Sequence, residues 1–252
     1  MRELKVLRIA LLISGGGTTM QAIIKACKNG CLKELVEPTL VIASKPGAGG
    51  IKKAIDAGMK KEDVIVICPT DFKQKAEPRE AFGEAIIREC ERRKVNFVGQ
   101  YGWLAKTPAN VIQRFEGAIV NQHPGPLDPG YPDFGGKGMY GRAVHAARML
   151  FVRLVAREGN FWTEATTHRV TEEYDKGALI QTARVSIECG DDVISLQEKV
   201  LPVEHLVQIE TLGKFALGTA EDYQRLERLV LPGEEEKLRQ AKEAAMMLFP
   251  RG

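Results

Sequence analysis

Val6-Leu7-Arg8-Ile9-Ala10-Leu11-Leu12-Ile13-Ser14-Gly15-Gly16-Gly17-Thr18-Thr19-Met20 is the stretch that decides the fold. An apolar run of strand length, broken only by Arg8, passes into three consecutive glycines and two threonines. A helical stretch, Met20 to Asn29, follows. Strand, glycine turn and helix in that order open a βαβ unit. The pattern then repeats: Pro38–Ala43 reads as a strand, Ile51–Ala57 as a helix and Val64–Cys68 as a third strand. Ala76–Arg93 is a long amphipathic helix, and Val95–Gly99 a fourth strand. A short helix starts near Pro108, where proline suits a first turn. Gly117–Asn121 is a fifth strand. Short apolar strands alternating with helices predict an α/β fold, a Rossmann-like mostly parallel sheet with helices on both faces, through residue 121.

Beyond that point the rhythm changes. Between Pro124 and Gly141 there are ten glycines and prolines, and a loop of that length in a compact domain usually serves binding or closure. Phe151–Arg157 and Phe161–Val170, around Glu158-Gly159-Asn160, read as a hairpin. Ala178–Ile187 reads as a further strand, which makes the later sheet mixed or antiparallel. Asp192–Gly213 reads as a helix with a break near Pro202, and Glu234–Leu248 as a charged amphipathic helix. Without repeat, linker or low-complexity segment, the expectation is one domain over 1–252. Its Rossmann-like half spans about 5–121, and a loop-bearing C-terminal half spans about 122–252.

Composition narrows the function classes. The chain has 252 residues, 44% hydrophobic and 27% charged, with a formal net charge of +3. That charge is too small to argue for nucleic acid or a membrane surface and is compatible with a small anionic substrate. Met1-Arg2-Glu3-Leu4-Lys5 leads into a strand-length run with no cleavage site behind it, so neither signal peptide nor membrane span is expected. Five cysteines, an odd number, read as reduced cytoplasmic thiols. Cys27 and Cys31 share a helix face but lack two further metal ligands, so no metal is expected. The sequence leaves the oligomeric state open and is compatible with a homodimer. His145, in a helical stretch, reads as a packed surface histidine, and His205 as structural.

Ligands of open α/β sheets bind beyond the carboxyl ends of the strands, which directs attention to the turns there. In the first, Gly15, Gly16 and Gly17 let the backbone approach an anion closely. The Thr18 and Thr19 hydroxyls, with the free amides of a helix start, can hold a phosphate. A dinucleotide fingerprint would need glycine at Met20 and an acid at Ser44 or Lys45, and a P-loop would need a lysine. None is there. In another, Asn121-Gln122-His123-Pro124 leaves the fifth strand. Residues two apart on a strand point the same way, so Asn121 and His123 can act on one atom. Asp175 sits in a turn closed by Gly177.

Taken together, these segments resemble the folate-dependent formyltransferases, in particular the branch that formylates phosphoribosylglycinamide in purine biosynthesis. The resemblance rests on Ser14 to Ala26, Arg79-Glu80-Ala81-Phe82, Asn121-x-His123-Pro124, His168-x-Val170-Thr171-x-x-x-Asp175-x-Gly177, Leu179 to Val185 and Glu204-His205. It covers roughly residues 5–210. It implies catalytic Asn121, His123 and Asp175, with Asp175 holding His123 charged, and 10-formyltetrahydrofolate as co-substrate. It also implies Gly15 to Thr19 on the acceptor's phosphate, Glu204 on its ribose, Arg79 on anionic substrate, and Trp103, Leu104 and Val170 around the pterin. This chain departs from the family at Gly125-Pro126-Leu127-Asp128-Pro129, at Tyr101-Gly102-Trp103-Leu104 and in an enlarged stretch from Phe134 to Thr166. These departures bear on the acceptor more than on the reaction. A 10-formyltetrahydrofolate deformylase, a formyltransferase acting on an amino sugar nucleotide and a non-catalytic nucleotide-binding protein are the other readings.

Overall fold

The computed structural model describes residues 6–252; the leading segment Met1 to Lys5 lies outside the described residues. The chain's contacts gather into two compact units. One comprises residues 1–121 with 208–220, the other 122–207 with 221–252.

In the first unit, β1 (Leu7–Ile13) pairs in parallel with β2 (Val36–Ala43) on one side and with β4 (Phe97–Gln100) on the other. Beyond them β2 pairs with β3 (Val64–Val66), and β4 with the start of β5 (Ile119–His123). Within this unit the strand order is β3-β2-β1-β4-β5. Ile9 through Ile13 and Leu40 through Ala43 are fully buried. Strands apolar on both faces mark a sheet covered on both sides. The crossovers are α1 (Thr18–Asn29), α2 (Gly49–Asp56), α3 (Pro78–Arg92) and α4 (Ala109–Arg114).

The second unit holds α5 (Arg142–Val155), β6 (Trp162–Arg169), β7 (Leu179–Ser186) and α7 (Glu235–Leu248). Phe134, Val144, Ala147, Phe151, Leu196 and Ala245 are among the residues of its core. Phe151–Arg157 is not a strand: Phe151 to Val155 form the last turn of α5, which ends at Ala156 in the left-handed conformation (φ 50°). Val144, Ala147 and Phe151 are buried at helical spacing, and that period outweighs the strand preference of a short apolar run. The antiparallel partner of β6 is β7, in a register running from Trp162↔Ser186 to His168↔Leu179.

The helix α6 (Val193–Leu217) runs through Pro202 without the expected break. Leu196, Val200 and Val207 around the proline are buried, and this packing offsets the lost backbone hydrogen bond. Among the described residues, no helix is long and apolar enough to cross a membrane.

Candidate active site

The segment between Pro124 and Gly141 has no helix or strand, as expected, but it is not a loose flap. Leu127 and Phe134 are fully buried, and Asp128 and Asp133 are 2% exposed. Asp133 accepts hydrogen bonds from the backbone N–H of Asp128 and of Gly135, and Lys242 Nζ donates to the carbonyl oxygens of Asp133 and Gly135. Only the tip, Gly130 to Pro132, and Lys137 are exposed.

This anchored loop packs against Asp175. Gly136 N–H donates to Asp175 Oδ2 at 2.8 Å. Asp175 itself has φ 58°, in the left-handed region that residues other than glycine rarely occupy. Gly177 lets the turn close: a Cβ there would lie 1.9 Å from the Arg169 carbonyl oxygen.

The Asp175 carboxylate lies between two imidazoles. His123 Nδ1 is 3.7 Å from Oδ2, and His168 Nε2 is 3.5 Å from Oδ1. Both rings are 2% exposed. His168 Nδ1 donates to the Arg169 carbonyl at 2.7 Å, which fixes the ring's orientation. His123 Nε2 is buried and has no hydrogen-bond partner, so it is the open valence of the cluster.

The electrostatics follow from this crowding. Burial alone would push the Asp175 carboxyl up, but His123, His168 and the Gly136 N–H outweigh it and hold it below the usual carboxylate range. For His123 the balance goes the other way. Burial is the largest influence and lowers its pKa, Asp175 opposes, and the net shift is downward. The shift favours the neutral ring, whereas the resemblance implies a charged one.

Glu204, on α6, is 5% exposed. Burial raises its carboxyl to about 7 against a lowering hydrogen bond from Gln122, and its Oε1 has no partner. His145 is also buried, 2% exposed, so it is no surface residue. Burial and then His123 pull it down to about 4.

In the first unit, the glycine turn is braced from behind. Ser14 Oγ accepts from Ser44 Oγ at 2.7 Å and from Leu104 N–H at 2.8 Å, and Gly50 N–H donates to the Gly15 carbonyl at 3.0 Å. Gly17 has φ 65° and no side chain caps α1, which leaves first-turn amides unclaimed. A Cβ on Gly17 would fall 2.7 Å from Gly50 Cα, whereas nothing lies within 4 Å of a Cβ built on Gly15 or Gly16. The turn is therefore rigid at its base and open above Gly15 and Gly16. Thr18 is half-buried and Thr19 buried.

The remaining candidates divide. Trp103 is buried and stacked on Phe82, ring centroids 6.2 Å apart at 4°, so its faces serve packing. Leu104 is exposed, Val170 half-buried, and Arg79 exposed in the first turn of α3. Asn121 and His123 lie two apart on β5, which runs on through His123 instead of stopping at Asn121. The sequence reading singled out neither His168 as a site residue nor the burial of His145. For His168 a signal existed: it lies near the end of β6, seven residues before Asp175.

The chain's candidate features are thus a buried histidine–aspartate pair in the second unit and, in the first, a glycine turn open to an anion. The chain matches the formyl transferase family over residues 7–212 and belongs to that family. It is 31% identical over 207 residues to the chloroplastic phosphoribosylglycinamide formyltransferase of Arabidopsis thaliana, covering 82% of this chain and 64% of that protein. The match to the Vigna unguiculata protein of the same name covers 59% of that relative, so the chain spans about six-tenths of these plant proteins. To the phosphoribosylglycinamide formyltransferase of Escherichia coli K12 it is 28% identical, covering 84% of this chain and 88% of that one. The crystal structure of glycinamide ribonucleotide transformylase 1 from Symbiobacterium toebii superposes with a TM-score of 0.69 at 28% identity, covering 84% of this chain and 89% of the other.

Proposed function

We propose that this chain transfers the formyl group of 10-formyltetrahydrofolate to the amine of 5'-phosphoribosylglycinamide. The observation that carries the reading is His123: a buried imidazole, Nδ1 toward Asp175 and Nε2 without a partner. With Nδ1–H directed at the carboxylate, Nε2 carries the lone pair. The acceptor amine attacks the formyl carbon, and the carbonyl oxygen takes up negative charge as the tetrahedral species forms. Asn121 donates to that oxygen, and Nε2 takes the proton that the amine sheds. His123, now an imidazolium stabilised by Asp175, faces the oxyanion. It returns the proton to the folate nitrogen as the carbon–nitrogen bond breaks, giving formylated acceptor and tetrahydrofolate. His168 holds Asp175 in place from the other side.

Acceptor binding falls to other residues. The turn Gly15 to Thr19 takes the phosphate on its free amides, and Glu204, with its open Oε1, takes a ribose hydroxyl. Arg79 meets anionic substrate, and Trp103, Leu104 and Val170 serve the pterin. We place the reaction in the cytoplasm, in one functional domain, with neither membrane nor nucleic acid as partner. The test is an assay of the purified chain with 10-formyltetrahydrofolate and a panel of amines. Absorbance of released tetrahydrofolate should rise with the ribosyl glycinamide and stay flat with amino sugar nucleotides. A response confined to the sugar nucleotide would reassign the acceptor.

A further inference from the structure

The second unit has a cavity of about 370 Å³ whose lining includes Arg157, Arg184, Arg225, Arg228, Trp162 and Asn160. Trp162 opens β6 and His168 lies near its far end. Six residues of extended chain separate them by about 20 Å, so the cavity is distinct from the His123 cluster.

Three of the four guanidiniums have acids. Arg157 lies 3.3 Å from Glu234, Arg228 lies 3.3 Å from Asp128, and Arg225 pairs with the buried Glu164. Arg184 is exposed, with its guanidinium 4.1 Å above the Trp162 ring, and among the described residues it forms no ion pair. Behind the wall lies a second cation that forms no close ion pair among the described residues, although the charge of Glu234 reaches it. Arg148 is fully buried and donates through Nε to the Trp162 carbonyl at 2.7 Å and through Nη2 to Asn160 Oδ1 at 2.9 Å. Its Nη1 has no partner, nor has Nδ2 of Asn160, which is 4% exposed. Burial first, then the charges of Arg157, Arg225 and Arg184, pull the Arg148 guanidinium down to about 9.

Arg184, which forms no ion pair, and Asn160, with its orphaned Nδ2, line the hollow, and Asn160 is bonded from the far side by Arg148; an incoming anion would satisfy this arrangement. Glu158 and Glu227 also line the cavity but are exposed, so solvent screens them. Guanidiniums spaced around a hollow suit the several oxygens of a phosphate better than a single carboxylate. The volume is within the range of small-molecule sites, well beyond one inorganic ion. Two guanidiniums already lie against the Trp162 ring, Arg148 at 4.6 Å and Arg184 at 4.1 Å, so the site suits a ligand without a nucleobase. We propose that this cavity is a second ligand site, outside the formyl-transfer machinery, for a compact organic phosphate such as a phosphorylated sugar.

Calorimetric titration of the full chain at low ionic strength tests this, with ribose 5-phosphate and inorganic phosphate as probes. A Gly16→Val background obstructs the glycine turn and isolates the cavity. Saturable binding of ribose 5-phosphate, tighter than inorganic phosphate, is expected there. Arg184→Gln, an exposed change on β7, should weaken it about ten-fold, as the loss of one charge-assisted contact does. His123→Ala should leave it unchanged. Lack of saturable binding, equal affinity for inorganic phosphate, indifference to Arg184→Gln, or loss on His123→Ala would each overturn the proposal.

Discussion

His123 Nδ1 lies 3.7 Å from Asp175 Oδ2, and the backbone that holds Asp175 there has φ 58°. A left-handed aspartate costs about 1 kcal/mol or more of strain, and the surrounding contacts, above all the 2.8 Å hydrogen bond from Gly136 N–H, hold it in place.

If this pair performs the chemistry, removing either member should abolish most turnover while sparing the fold. His123→Ala and Asp175→Asn should each lower kcat on the order of 10²-fold or more. Their thermal melts should stay cooperative. Near-native turnover in both would remove the proposed site.

The pH profile should report the neutral imidazole. Because the His123 pKa is lowered below 6.5, kcat/KM should rise with pH through a value under 6.5 and then level off. Linkage has the same sign: below 6.5 the unfolded chain binds the proton that the folded ring refuses, so this group costs stability as pH falls. A rate that falls as pH rises from 6 to 8 would mean that the charged ring is the working form.

Glu204 makes the opposite prediction. Its folded pKa is raised from 4.5 to about 7. The folded chain therefore holds more protons between those values, and the stability this gives at low pH is lost as pH rises through 7. A shift of that size amounts to on the order of 3 kcal/mol. Glu204→Gln should unfold later than the native chain in urea at pH 8, and the gap should vanish at pH 4. The same change should raise KM for the ribosyl glycinamide and not for the folate. Equal stability at both pH values would show that the carboxyl is not buried as described.

The glycine turn separates binding from folding. Gly17→Val meets Gly50 backbone at a left-handed φ, so it should destabilise the protein outright. Gly16→Val points its side chain into open space and should leave the melt within a degree or two, while raising the acceptor's KM about ten-fold or more by obstructing the anion. An unchanged KM would take the phosphate away from this turn.

Most of the first unit was legible in the sequence because its strands are short apolar runs followed closely by glycine or proline, and α1 and α3 are long enough to show their period. The later half was less so. Phe151 to Val155 is too short to show by itself that it continues Val144 and Ala147 on a helix face. Pro202 suggested a break because local rules weigh the missing N–H and not the core on either side. In the site, Asn121, His123 and Asp175 could be named from motif order. The His168–Asp175 contact depends on a strand turning back, and the downward shift of His123 depends on burial. Neither can be read from spacing. Likewise the length of 124–141 pointed to binding or closure and gave no sign that Leu127, Asp133 and Phe134 anchor that loop in the core. Limited proteolysis should therefore cut it equally slowly with and without a folate analogue, and strong protection by the analogue would show instead that the loop closes over the ligand.

The most direct measurement follows the formyl carbon itself. Incubating the chain with 10-formyltetrahydrofolate labelled at that carbon, with and without 5'-phosphoribosylglycinamide, and separating the products shows where the label goes. Our account predicts label in the formylated ribotide, at a rate that depends on the acceptor, and almost none released alone. Label appearing as free formate at the same rate without acceptor would contradict it and make the chain a hydrolase.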